Sequence, residues 1–242
     1  MSPKHPTPPL RSFVSGIYAA VPIATGYVPV AITYGLILRS LGLSAADGVI
    51  ASVLVFAGAA QFLTLSLYSM GTSMYQIIFA GWMLNVRHLL MSSVVARTLP
   101  PLKPLHRGLL SFGITDEVFG VLVAESKENT PVSRWRMAGL EAGAYSAWVM
   151  GTLIGTLVGE VIPPLLRVAM GLALYVLFTA LVTGQIQRGP HIPVGAAALT
   201  GAGVHAILRS ITALGAGIAV PIAMIAGGLV GMILYREPEH DN

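Results

Sequence analysis

The chain has 242 residues, of which 55% are hydrophobic and only 10% are charged, and its mean hydropathy is +0.76. Soluble domains carry about 25% charged residues, so these values exclude an ordinary soluble protein. The formal net charge of +4 does not indicate nucleic-acid binding, because the basic residues are scattered over the connections between apolar runs, where a membrane protein carries them. The absence of cysteine excludes disulfides, thiol catalysis and cysteine-based metal sites.

Long runs without charge predict membrane-spanning helices, which need about 20 mostly apolar residues each. No Asp, Glu, Lys or Arg occurs in residues 12–38, 48–86, 168–187, 189–208 and 210–235. These runs lack the alternation of membrane β-strands, so we predict an all-α, polytopic membrane protein with seven or eight segments. The predicted segments are 13–38, 49–70, 74–96, 108–125, 136–159, 165–184, 192–208 and 213–235. Residues 12–235 form one transmembrane domain in this prediction, between a disordered tail at 1–11 and a short C-terminal tail at 236–242.

Two of the predicted segments are irregular. The first carries Pro22, Gly26 and Pro29, and the fourth carries Gly113 shortly before two acidic residues. Such interruptions expose backbone groups that can bind a substrate or an ion, although membrane helices also tolerate Pro and Gly for structural reasons. If both segments are re-entrant, most Lys and Arg residues gather on one side of the membrane, as the positive-inside rule favours. Each irregular segment also opens a run of three, which raises the hypothesis of a duplicated three-helix unit over 13–96 and 108–184.

Two stripes of small residues recur at every fourth position, and such stripes let helix backbones approach closely. The stripes are Gly143, Ala147, Gly151, Gly155 and Gly159, and Gly215, Ala219, Ala223, Gly227 and Gly231. We expect them to pack inside the bundle or to dock a second membrane subunit.

Ionisable residues inside a membrane are costly and therefore are candidates for function. Asp116 and Glu117 are the best such pair: one is expected to bind a proton and the other to pair with a basic side chain, unless both lie in a loop. His88 is a candidate proton relay and shares a helix face with Asn85. Arg87 is expected to pair with a carboxylate, that of Asp116 or of a substrate, or to mark a helix end at the membrane interface.

Several other polar residues are weaker candidates for a functional role. Gln61 lies in a long apolar run beside Gly58, where it either binds substrate or bridges two helices. Glu141 is interpreted as an interfacial charge, and His191 and His205 lack metal-ligand spacing, so no metal site is predicted. No HExxH, GxSxG or phosphate-binding loop occurs, which argues against a protease, an esterase or an ATP-driven pump. Transport is favoured, a passive channel or a scaffold subunit is the alternative, and a membrane-embedded enzyme is the third class.

Four motifs, in this order and spacing, resemble the AzlC family, the large subunits of bacterial branched-chain amino acid exporters. They are 26–29 with Tyr34 and Gly35, then 56–62, then 85–88, then 115–119. The resemblance covers residues 13–184 and continues through 171–175 and Phe178. Ala31 departs from the pattern, since a glycine is expected there.

The resemblance implies export of leucine, isoleucine and valine, with methionine as a further candidate, driven by the proton motive force across the bacterial inner membrane. It also implies a small AzlD-like membrane subunit as partner, and no cofactor. The residues expected to contact the substrate are Gly26, Tyr27, Pro29, Gly58, Gln61, Asn85 and Arg87. The residues expected to couple protons are Asp116, Glu117 and His88.

Overall fold

The regular secondary structure is α-helical throughout residues 8–125, 132–158, 191–211 and 216–235, which are the residues that the computed structural model describes. This confirms the all-α prediction. The predicted segment 165–184 and the C-terminal tail lie outside these residues.

The first predicted segment consists of two helices, α1 (Pro9–Ala19) and α2 (Val21–Ser40). They meet at Ala20, whose backbone N–H still donates to the carbonyl oxygen of Gly16 at 3.1 Å. Pro22 lies in the first turn of α2, where its missing N–H costs no helical hydrogen bond, and α2 continues past Pro29. The first segment is therefore divided at Ala20, two residues before Pro22, and α2 is not interrupted at Pro29. Residues 9–11 of the predicted tail are helical.

The second predicted segment, 49–70, is interrupted, so the prediction of one continuous helix there is wrong. Helix α3 (Ala45–Leu54) and helix α4 (Gly58–Ser69) are separated by residues 55–57. α3 begins with a capping box, in which the Asp47 N–H donates to Ser44 Oγ (3.1 Å) and the Ser44 N–H donates to Asp47 Oδ2 (2.8 Å). Val55 leaves the helix with φ −126° and ψ 84°.

The third and fourth segments follow the predictions more closely. Helices α5 (Met74–Asn85) and α6 (Arg87–Thr98) meet at Val86, which keeps helical dihedral angles. Helices α7 (Pro104–Phe112) and α8 (Asp116–Glu125) are separated by residues 113–115. The interruption predicted at Gly113 is thus confirmed.

Helix α9 (Arg134–Val158) is the long helix against which α1, α2 and α3 pack. Its small residues make this approach possible. A Cβ atom on Gly143 would lie 2.6 Å from the Cβ of Ala20, and one on Gly151 would lie 2.7 Å from the Cβ of Ala31. A Cβ on Gly155 would collide with the backbone of Ile32. The first stripe therefore packs inside the bundle at these three positions, whereas Gly159 lies outside the described residues.

The chain divides into two compact units, one built from residues 1–61 and 85–170 and the other from 62–84 and 171–242. In the second unit, Leu67, Ile77 and Ala80 form a small core. The same unit contains helix α10 (His191–Ile211) and helix α11 (Ala216–Leu234), which pack against each other. A Cβ on Gly227 would lie 2.6 Å from the carbonyl oxygen of Ala197, so the second stripe also packs internally; Gly215 lies outside the described residues.

Three helical stretches among the described residues are long and apolar enough to cross a membrane: Val21–Ser40, Met74–Arg97 and His191–Ser210. Large apolar side chains on two of these are mostly exposed, for example Tyr75 at 86% and Leu199 at 76%. A bilayer covers such side chains, whereas water would not favour their exposure. The chain is therefore a helical membrane protein, and the count of seven or eight segments stays a prediction.

Candidate functional site

Residues from the first and fourth motifs meet inside the first unit. The hydroxyl of Tyr27, on α2, donates to Glu117 Oε2 at 2.5 Å and lies 2.7 Å from Thr115 Oγ1. These two partners belong to the interruption before α8 and to its first turn. A tyrosine of one predicted substrate motif is thus bonded directly to a predicted proton-coupling carboxylate.

An ion pair joins the third and fourth motifs in the same unit. Arg87 Nη1 lies 2.6 Å from Asp116 Oδ2, and the two side chains are 38% and 41% exposed. The sequence analysis expects this pairing, and the structure contains it. Because both side chains are partly exposed, both charges remain accessible to a ligand.

The end of the interruption fixes the directions of the two acids. Thr115 caps α8, since its Oγ1 accepts from the Val118 N–H at 3.3 Å and its carbonyl oxygen accepts from the Phe119 N–H at 2.8 Å. The positive end of the helix dipole stabilises negative charge in this first turn. Adjacent helical positions diverge by about 100°, so Asp116 reaches Arg87 while Glu117 reaches a different partner.

Two buried polar atoms at the junction of α5 and α6 have no hydrogen-bond partner within the described chain. They are Asn85 Oδ1, an acceptor, and Arg87 Nε, a donor. Asn85 and Arg87 flank Val86, where the two helices meet, and His88 follows as a half-buried residue. Buried polar atoms are normally satisfied, so the open donor of Arg87, within the ion pair, and the open acceptor of Asn85, two residues before it, are candidates for contacts with a polar ligand.

An aromatic cluster adjoins this site and connects the two interruptions. The ring of Tyr27 packs edge-to-face on Phe56 (6.2 Å between centroids) and on Trp148 (5.3 Å). Phe56 packs on Tyr145 at 5.2 Å, and Tyr145 packs on Phe112 at 6.1 Å. Apolar surface therefore lies directly beside the polar groups.

Gln61 bridges the interruption between α3 and α4. Its Nε2 donates to the carbonyl oxygen of Val55 (2.9 Å) and to Ser52 Oγ (3.3 Å), and its Oε1 accepts from Trp148 Nε1 (2.8 Å). A Cβ on Gly58 would lie 2.5 Å from the Trp148 ring. Both amide hydrogens of Gln61 are thus donated to groups within the protein. The absence of a side chain at Gly58 leaves the space that the Trp148 indole occupies. Whether either residue also touches substrate stays a prediction.

Two predicted substrate residues lie apart from these contacts. Gly26 and Pro29 are exposed on α2, and no heavy atom lies within 4 Å of the position of a Cβ on Gly26. Whether either residue contacts the substrate stays a prediction.

Glu141 is a residue that the sequence analysis misplaced. It is interpreted there as an interfacial charge, but the side chain is only 7% exposed, and its Oε1 has no hydrogen-bond partner within the described chain. Its position seven residues into α9 gave no signal of burial, because the packing partner is Gly113, distant in sequence. Nor did the sequence reveal the buried contact between Ser52 Oγ and Thr152 Oγ1, which are 2.8 Å apart.

Across the described ranges, no group of three His, Cys, Asp or Glu side chains is arranged to hold a metal ion.

Comparison with known proteins identifies relatives over most of the chain. The family model described as AzlC protein matches residues 22–162. The inner membrane protein YgaZ of Escherichia coli is 31% identical over 236 residues, which are 95% of this chain and 91% of that protein. No solved structure matches.

Two further relatives match over a shorter region. A membrane protein of Archaeoglobus fulgidus is 43% identical over 142 residues, covering 59% of this chain and 60% of the relative. The branched-chain amino acid transport protein AzlC of Bacillus subtilis is 28% identical over 145 residues, covering 59% of this chain and 56% of that protein. The match thus spans less than two thirds of these two relatives. The family match exceeds half of the chain and the Escherichia coli relative spans nearly all of it, so the chain belongs to the AzlC family of membrane proteins.

Proposed function

We propose that this chain is the transporting subunit of a proton-coupled exporter of branched-chain amino acids in a bacterial inner membrane. The name of the Bacillus subtilis relative supports the substrate class, and that of the Escherichia coli relative supports the location. The site geometry supports the mechanism. Transport, rather than covalent chemistry, is the proposed activity.

The observation that carries the proposal is the Arg87–Asp116 pair, together with the open Nε of Arg87 and the open Oδ1 of Asn85, two residues earlier in the chain. An amino acid zwitterion has the same two charges as this ion pair. Its carboxylate can take the place of Asp116 on Arg87 and accept from Nε, while its ammonium group can take the place of Arg87 on Asp116 and donate to Asn85 Oδ1. Both exchanged contacts are charge-assisted hydrogen bonds, the stronger class.

The aliphatic side chain of the substrate would lie on the aromatic side of the site. The Tyr27 ring, which packs on Phe56 and Trp148, offers apolar surface, and its hydroxyl is bonded to Glu117, the residue after Asp116. An apolar pocket distinguishes one methylene group by about 1–3 kcal/mol. We therefore expect leucine, isoleucine and valine to share the site, with methionine as a weaker substrate.

Proton coupling is assigned to Asp116 and Glu117, the two acids in the first turn of α8. Glu117 accepts from the Tyr27 hydroxyl and Asp116 pairs with Arg87, so protonation of either acid would weaken a contact that holds the interruption in place. His88 lies beside them in α6 as a relay. The small AzlD-like subunit completes the transporter in this proposal.

The test is export of preloaded, labelled leucine from cells that express this chain with and without the small subunit. Asp116→Asn should abolish efflux that depends on the proton gradient, while the variant still inserts and assembles. Glu125→Gln is the matched control, because Glu125 also pairs with an arginine, Arg136, but lies at the far end of α8. Wild-type efflux in the control and none in Asp116→Asn supports the proposal.

Two other outcomes would overturn parts of the proposal. Unchanged efflux in Asp116→Asn removes that residue from the coupling path. Absence of efflux from the wild type with its partner refutes the substrate assignment and favours a passive channel or a scaffold subunit. A channel would release leucine only down its gradient.

A further inference from the structure

Glu141 is a buried acid at the interruption between α7 and α8. It is 7% exposed and its Oε1 has no hydrogen-bond partner within the described residues. A Cβ on Gly113 would lie 2.5 Å from Glu141 Cδ and 2.7 Å from its Oε2. The carboxyl group therefore occupies the space that any side chain at position 113 would need, which is a packing reason for glycine at this break.

No counter-charge is paired with Glu141 in the described part of the chain. On α9 and on α1, α7 and α8, which also contact it, the basic groups are Arg11 on α1, His106 and Arg107 on α7, and Arg134 and Arg136 on α9 itself; the other acids are Asp116, Glu117 and Glu125 on α8. Arg136 pairs with Glu125, and Asp116 pairs with Arg87. Tyr27 of α2 is bonded to Glu117 and lies 2.7 Å from Thr115 Oγ1. The other titratable groups of α2 and α3 are Tyr34, Arg39 and Asp47, on parts of these helices that pack farther along α9, at Thr156.

Burial without a partner selects one chemical form of this acid. An isolated carboxylate in an apolar interior is very costly, whereas the neutral acid is tolerated. Asp116 and Glu117 differ in this respect, because each has a partner for its charge. The burial of Glu141 therefore favours its neutral form over the carboxylate.

We propose that Glu141 is a proton-binding site of the transport cycle, separate from the ion pair that binds the substrate. This rests on the proposed function, since protonation of Glu141 would be coupled to transport together with that of Asp116 and Glu117. The O–H bond of the acid forms with a proton taken from water at one membrane face and breaks when the proton passes to water at the other. Gly113, the first of the unwound residues 113–115, lies against the carboxyl group, so movement of this segment would give the acid access to water.

The first test is transport by the chain and its small subunit in proteoliposomes. Glu141→Gln keeps the size and neutral charge of the protonated acid, so the protein should fold and exchange internal for external leucine. It should lose the dependence of net leucine flux on the pH gradient. Glu141→Asp, which keeps a carboxyl group, should recover part of that dependence, and Glu125→Gln should keep all of it. A Glu141→Gln variant with the pH dependence of the wild type overturns the proposal.

A second test does not depend on transport. Apolar carbodiimides modify protonated carboxyl groups in apolar surroundings, so dicyclohexylcarbodiimide should label Glu141 in the membrane-embedded complex, and labelling should fall as the pH is raised. Mass spectrometry of the peptide with residue 141 reports this directly. Absence of labelling at every pH refutes the proton site, even if leucine is exported. Labelling of Glu141 in a protein that transports no leucine would retain the proton site and refute the proposed function.

Discussion

Replacing Tyr27 with phenylalanine isolates the contact between the first and fourth motifs. The substitution keeps the ring that packs on Phe56 and Trp148 and removes only the hydroxyl. Glu117 Oε2 then loses a donor at 2.5 Å, and Thr115 Oγ1 loses a neighbour at 2.7 Å. Nothing else in the described site is removed.

The size of the effect follows from the two lost contacts. Hydrogen bonds inside membrane proteins contribute about 0.6 kcal/mol on average and up to about 1.7 kcal/mol, and those to charged groups are at the upper end of the scale. The arrangement in which Tyr27 is bonded to Glu117 should therefore lose about 1–2 kcal/mol of stability. A factor of ten in an equilibrium constant corresponds to about 1.4 kcal/mol, so the population of this arrangement should fall about 5- to 30-fold.

The assay compares leucine efflux and thermal stability of Tyr27→Phe with those of Tyr18→Phe, an exposed tyrosine on α1 (72%). We expect Tyr27→Phe to lower proton-driven efflux by the factor above, and Tyr18→Phe to leave it unchanged. Equal efflux from both variants would refute the argument that the Tyr27 hydroxyl holds the interruption of the fourth segment in place.

Two further predictions concern packing. Gly155→Ala places a methyl group against the backbone of α2, which should cost about 1–3 kcal/mol and lower the apparent melting temperature in detergent. Gly120→Ala is the control: no atom lies within 4 Å of its Cβ position, so the melting temperature should stay unchanged or rise. Equal shifts of the melting temperature in the two variants would contradict the close packing of α2 on α9. Gln61→Leu removes the amide that bonds the Val55 carbonyl and the Trp148 indole and should speed hydrogen exchange in the first turn of α4. Unchanged exchange there would show that Gln61 does not hold the break.

The helices and breaks that can be predicted from the sequence are those determined by local patterns of residues. The apolar runs and the glycine stripe of α9 are local patterns, and so is the interruption at Gly113, where a helix-weakening residue precedes two acids. The break at residues 55–57 has no such signal, because Val, Phe and Ala are all compatible with a membrane helix. Its stabilising contact comes from Trp148, 87 residues from Gln61, and no local pattern reveals that distance.

Some features of the candidate site can likewise be predicted from the sequence, and others cannot. The pairing of Arg87 with Asp116 is predictable because ionisable residues in membrane segments usually pair with one another. Burial of Glu141 is not, because an acid seven residues into a helix resembles an interfacial charge until the partner at Gly113 is known. Gly26 and Pro29 lie on an exposed face of α2, which continues through both positions, so a residue that weakens a helix in sequence need not interrupt it in the structure.

The most direct test of the central claim is uphill leucine flux in proteoliposomes that contain the purified chain with its small subunit. An imposed proton gradient should move labelled leucine against its own concentration gradient. Unlabelled isoleucine and valine should compete for this flux, and a proton ionophore should abolish it. Leucine movement that only follows its own gradient, or none at all, would contradict the account.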